Sequence, residues 1–213
     1  CPDSPRAWQL GLDEVSDLLR FYHHPNVTGY ALERISYSGA SSCYCPYTRE
    51  AFRKDTGTSL EQAAVDERET WKTEQICRHL TAFTAHVRTI RPDMSVALHT
   101  QCAPGWGHDP QRLQACGIDY LLPHTIQFPT TREKLYAMLD RLAPNRCVLH
   151  FCTRDRRPQN YNLWVKTPAI IDEVLGWVDD YSGDNLAGIL FFNEAATSLE
   201  NKRAVYEGIR RFV

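Results

Sequence analysis

Apolar positions along the chain alternate between two spacings. Over residues 8–22, Leu10, Leu12, Val15, Leu18, Leu19 and Tyr22 recur at intervals of mostly three and four, which predicts an amphipathic helix. Asp3 or Ser4 stands where a cap belongs, with Pro5 in the first turn. After the break His23-His24-Pro25-Asn26, residues 27–35 read as a strand that ends in Leu32-Glu33-Arg34. A helix over 46–56, stopped by Gly57, and a long charged helix over 59–90, ended by Pro92, fill the next connection.

From residue 95 onward the pattern becomes regular. Strands are expected at 95–100, 118–122, 146–152 and 186–192, and helices at 110–116, 131–142, 167–181 and 198–212. Strands that alternate with helices at this spacing form right-handed βαβ units on a parallel sheet. Two architectures fit. One is the C-terminal part, about five βα units, of a TIM-type (β/α)8 barrel whose N-terminal strands are missing; the other is an open five-stranded doubly wound sheet. The barrel is favoured because the first element is a helix with no strand before it, and because no glycine-rich phosphate loop follows any strand. No low-complexity linker interrupts the chain, so residues 1–213 read as one barrel domain, truncated at its N-terminus.

Composition narrows the partners. A formal charge of -2 with scattered histidines leaves no basic stripe to neutralise phosphates, so nucleic acid is not expected. The longest apolar runs, such as 188–192, fall far short of the roughly 20 residues that cross a bilayer, so no membrane partner is expected either. Eight cysteines are enough for disulfides, yet Cys77, Cys116 and Cys147 fall inside expected helices or strands, where a free buried thiol is the commoner state. The compartment stays open between the cytoplasm and export, and the oligomeric state is not assigned.

Polar groups gather where the expected strands end: Glu33 and Arg34, His99, His124, Arg154 and Asp155, and Asn193 and Glu194. Barrel enzymes build their sites from such ends, which converge over one mouth. Meeting water at the end of a strand explains part of this polarity by itself. Glycosidic cleavage needs one carboxylic acid to protonate the leaving oxygen and one carboxylate to attack or to activate water. Glu33 and Glu194 follow apolar strand cores and are the candidate pair, with Asp155 in reserve. Arg34, His99, His124 and Asn193 are candidate contacts for sugar hydroxyls, and Trp106, between two glycines, for a sugar face.

A metal-dependent hydrolase using His99 and His124 is the competing enzyme reading, but no His-x-His or His-Glu-x-x-His spacing occurs. A barrel that binds carbohydrate without cleaving it is the other alternative. Cys43 and Cys45 can share a metal, yet Thr48 stands where a third cysteine would complete a Cys-x-Cys-x-x-Cys run. No metal site is assigned and no cofactor is required.

The segment Cys1-Pro2-Asp3-Ser4-Pro5, the strand Gly29-Tyr30-Ala31-Leu32-Glu33 and the loop Cys43-Tyr44-Cys45-Pro46, with Arg49, Phe52 and Gly57, carry a resemblance. Over residues 1–57 the chain resembles a group of uncharacterised bacterial glycoside-hydrolase-like barrels. In that group a Cys-Pro-x-x-Pro segment, a Gly-x-x-Leu-Glu strand and a Cys-x-Cys-Pro-x-Cys loop follow in this order. The resemblance implies carbohydrate chemistry, a role for Glu33, and a strand just ahead of Cys1. Thr48 departs from the group's third cysteine.

Overall fold

A computed structural model describes residues 1–33, 35–37, 43–100, 107–123, 130–154, 165–192 and 197–212. Seven helices and five strands occupy these residues: α1 (Pro5–Phe21), β1 (Gly29–Leu32), α2 (Pro46–Thr56), α3 (Val65–Ile90), β2 (Ser95–Thr100), α4 (Pro110–Leu113), β3 (Tyr120–Pro123), α5 (Arg132–Leu142), β4 (Cys147–Cys152), α6 (Pro168–Asp179), β5 (Leu186–Phe192) and α7 (Leu199–Ile209). The strands form a sheet in the order β1-β2-β3-β4-β5. A doubly wound sheet reverses direction at a switch point, whereas a barrel adds each strand beside the last. The unbroken order therefore matches the barrel arrangement expected from the sequence. The chain divides into two compact units, Cys1–Leu121 and Leu122–Val213, with the division inside β3.

Helix starts follow local chemistry. Ser4, Thr131, Thr167 and Ser198 each accept a hydrogen bond from an amide in the first turn, satisfying a donor that the helix itself leaves unpaired. Gly57 closes α2 in the left-handed region at φ 77°, as its position after Thr56 predicts. Several boundaries differ from expectation, among them those of α3 and β1. The long helix begins at Val65, because the preceding segment folds into a turn whose Gln62 and Ala63 amides donate to the Ser59 carbonyl. β1 keeps only four residues, Gly29–Leu32, and among the described residues it pairs with β2 at one border of the sheet.

In the first unit, β1 and β2 run parallel with Gly29 opposite Ser95, Ala31 opposite Ala97 and Leu32 opposite Leu98. Alternation then sorts the faces. Val96, Leu98 and Thr100 are buried, while Ser95, Ala97 and His99 are half-buried. Tyr30 faces α3, with its ring 6.1 Å from that of Phe83, while Gly29 and Ala31 are exposed. The buried faces meet a core of Leu19, Ile76, Leu80, Phe83 and Val87 from α1 and α3. Each such side chain contributes about 1.5–3 kcal/mol by leaving water.

The second unit repeats this logic. β4 and β5 are parallel, with His150 opposite Leu190 and Cys152 opposite Phe192. Cys147, Leu149 and Phe151 share one fully buried face, in a core with Leu139, Ile171, Val174 and Leu175. Leu190 and Phe192, on the other face, are exposed. Among the described residues no helix is long and apolar enough to cross a membrane.

Candidate functional site

Glu33 and His99 come together at the C-terminal ends of β1 and β2. Extending the observed register by one residue past Leu32 and Leu98 sets Glu33 opposite His99. Both continue the face of Gly29, Ala31, Ser95 and Ala97, away from the helices. Small residues of β1 and β2 line that face: Gly29, Ala31, Ser95 and Ala97. Burial holds the His99 imidazole below its ordinary 6.5, and the negative charge of Glu33 beside it acts in the opposite direction. His99 is thus neutral near pH 7, able to donate from one ring nitrogen and accept at the other.

Behind this pair lies His108, which sequence reasoning missed. It is buried and bonds two strand ends at once: Nε2 lies 2.8 Å from the Ile35 carbonyl and Nδ1 3.0 Å from the Thr100 hydroxyl. A carbonyl only accepts, so Nε2 carries the proton, and the neutral ring then accepts the Thr100 hydroxyl at Nδ1. Burial favours this neutral form, lowering the pKa against the opposing effect of the Ile35 carbonyl. The neighbouring Gly107, at φ 77°, packs so closely on α3 that a Cβ there would lie 2.7 Å from Ile76 Cγ1 and 3.2 Å from the Lys72 carbonyl. The sequence signal was this glycine next to a histidine, but the partners lie 73 and 8 residues away.

A second constellation surrounds the N-terminus of α2. The thiol sulfurs of Cys1, Cys43 and Cys45 lie within 4.8 Å of one another, and Cys45 Sγ is 3.2 Å from Cys1 Sγ. Thr48 completes the group, its hydroxyl 3.3 Å from Cys1 Sγ and 3.5 Å from Cys45 Sγ. Burial pushes the Cys45 thiol up, but the Thr48 hydroxyl, the first amides of α2 and Cys43 outweigh it and hold the thiol below its ordinary value. Three sulfurs at this spacing suit a thiophilic ion, one donor short of a closed tetrahedral site. The third thiol comes from Cys1 rather than from position 48, a pairing hidden in the sequence because Cys1 and Cys45 are 44 positions apart.

Asp3 anchors this group. Its carboxylate accepts from the Thr48 hydroxyl at 2.6 Å and from the Tyr37 hydroxyl at 2.9 Å, and lies 3.5 Å from His79 Nε2. Burial acts to raise its pKa, yet the hydrogen bonds from His79, Thr48 and Tyr37 prevail and lower it.

In the second unit, the ends of β4 and β5 are joined by the Thr153 amide, which donates to the Phe192 carbonyl at 2.6 Å, and by the contact of the Thr153 and Thr197 hydroxyls at 2.8 Å. Asn201, buried in α7, donates to the carbonyls of Thr153 and Lys166. His150, two residues before the end of β4, is buried with its ring 5.0 Å from that of Phe192. The remaining candidates, Arg34, Trp106, His124, Asp155, Asn193 and Glu194, lie outside the described residues.

No protein-family model matches the sequence, and a search of curated proteins finds no relative. Solved structures do match. The fold is similar to that of a β-galactosidase from Bacillus circulans sp. alkalophilus, with a TM-score of 0.70 at 12% identity over 99% of this chain and 40% of that one. It is also similar to a β-galactosidase from Rahnella sp. R3, with a TM-score of 0.64 at 14% identity over 99% of this chain and 39% of that one. A bee venom hyaluronidase matches with a TM-score of 0.52 at 11% identity over 93% of this chain and 74% of that one. The chain thus has the fold of part of a (β/α) barrel, and it spans about two fifths of the length of the two β-galactosidases.

Proposed function

We propose that the chain supplies part of the catalytic rim of a hydrolase that cleaves glycosidic bonds, with Glu33 as one of its two carboxylates. The observation that carries this reading is the side-by-side placement of Glu33 and His99 at adjacent strand ends, on the face turned away from the helices. In a barrel that face looks toward the axis, and those ends form the mouth where chemistry occurs. Likeness in fold to two β-galactosidases and a hyaluronidase directs the reading to sugars.

Glu33 serves as acid and base or as nucleophile, and the neutral imidazole of His99 hydrogen-bonds a sugar hydroxyl or orients the carboxylate. Glu194 is assigned the second carboxylate, with Asp155 in reserve. Arg34, His124 and Asn193 orient hydroxyls, and Trp106 offers its ring to a sugar face. Carbohydrate is the expected partner.

The test is hydrolysis of a panel of nitrophenyl α- and β-glycosides by the native protein and by Glu33→Gln. Turnover by the native protein is expected, with a loss of about 10²–10⁴-fold in kcat/KM for the variant. Sugar binding without turnover in the native protein would assign a non-catalytic carbohydrate-binding barrel instead. Equal turnover by the two proteins would remove Glu33 from the chemistry.

A further inference from the structure

The geometry points to His108 as a positioning residue: by tying the Ile35 carbonyl to the Thr100 hydroxyl, it locks the ends of β1 and β2 together so that Glu33 and His99 stay side by side. This rests on the reading of Glu33 and His99 as a working pair. Ile35 lies two residues beyond Glu33, and Thr100 lies one beyond His99. The inter-strand register ends at Leu32 and Leu98, just short of both site residues. The imidazole bridge ties the two chains together just beyond the last of these register pairs.

Its location suits the task. Side chains alternate along β2, so Thr100 points to the buried face while His99 points to the opposite one. The bridge therefore braces the strand ends from behind, on the face opposite His99. Both bonds are short, and the His108 ring that makes them is buried, where leaving its nitrogens unpaired is costly. Gly107, the residue before it, sits against α3, where a Cβ would lie 2.7 Å from Ile76 Cγ1 and 3.2 Å from the Lys72 carbonyl. A buried ring held at both nitrogens suits a residue that must keep two others aligned.

The experiment reads the electrostatic coupling of the pair by following the His99 imidazole through a pH titration by NMR. In the otherwise native protein, Glu33→Gln removes a neighbouring negative charge and shifts the His99 midpoint downward. In a His108→Leu background the same substitution should shift it by less than roughly half as much. His108→Gln, whose amide can donate to the Ile35 carbonyl, should restore most of the shift. A full-sized shift in folded His108→Leu would overturn the proposal.

If His108→Leu does not fold, Thr100→Val, which removes only the hydroxyl end of the bridge, is read the same way. A His99 midpoint that ignores Glu33→Gln in the otherwise native protein would sink both the positioning role and the pairing behind the proposed function. Absence of glycoside turnover, with the coupling and its dependence on His108 intact, would remove the hydrolase reading and leave the positioning role standing.

Discussion

Two buried charged groups have opposite relations to pH. Lys166 is 1% exposed, its Nζ 5.8 Å from the centre of the Phe151 ring, and burial pushes its amine from 10.5 down to about 8, against a small opposing pull from Cys152. A drop of that size corresponds to roughly 3 kcal/mol of cost for keeping the amine charged in the fold. Between about pH 8 and 10.5 the unfolded chain binds the proton and the folded one does not, so stability rises with pH across that window. Lys166→Met is therefore expected to be more stable than the native protein at pH 7.5, by no more than about 3 kcal/mol, with the advantage shrinking above pH 8. Urea unfolding at a series of pH values measures it, and a difference independent of pH would contradict the assignment.

Asp3 behaves in the reverse sense. Its folded carboxyl sits below 3.8, so it stabilises the fold above that pH and loses the contribution as pH falls through the folded value. Asp3→Asn should cost about 2–3 kcal/mol at neutral pH, because the Tyr37 and Thr48 hydroxyls lose a charged acceptor. The deficit should close in strong acid, where the native carboxyl is also neutral. Thermal unfolding of both proteins from pH 7 to pH 2 follows this convergence.

At the level of elements, the crossing of α6 and α7 turns on one glycine. A methyl at Gly208 would run into Leu175 Cδ1 and crowd Leu175 Cγ at 3.4 Å, so the two helices approach at this point only because the side chain is a hydrogen atom. Leu175 is fully buried and has little freedom to move aside. Gly208→Ala should destabilise by about 1–3 kcal/mol despite alanine's better helix propensity, and Leu175→Ala in the same chain should recover part of the loss. A stabilised Gly208→Ala in denaturant titration would show that the helices separate more easily than their packing indicates.

Strand ends show what alternation alone can and cannot place. The strand expected over 95–100 is found, and within it Val96, Leu98 and Thr100 are buried while Ser95, Ala97 and His99 are half-buried, the two-residue period of a strand. Helix starts were equally legible at Ser4, Thr131, Thr167 and Ser198, since a hydroxyl before an apolar period is a local signal. The start of α3 was not, because the charged residues after Ser59 continue the helical period through a segment that instead folds as a turn around buried Leu60.

For the whole molecule, the alternation of strands and helices gave the parallel sheet, and the sequential strand order agrees with the barrel rather than the doubly wound alternative. Glu33 and His99 were both visible as polar groups after apolar runs. Their adjacency was not, since it depends on which residue of β1 pairs with which residue of β2 across 66 positions of chain. The same distance in sequence concealed His108 behind them and Cys1 beside Cys43 and Cys45.

What the sequence determined by itself is local: where hydroxyls cap helices, where glycine ends them, and which side of each strand is apolar. These follow from interactions within a turn or two of chain, or from the period of the side chains. The tertiary structure alone decided the pairing of Glu33 with His99, the imidazole bridge at their backs and the gathering of three thiols at α2. Each of these joins residues far apart along the chain, and only the packing of helices on the sheet sets which distant groups meet.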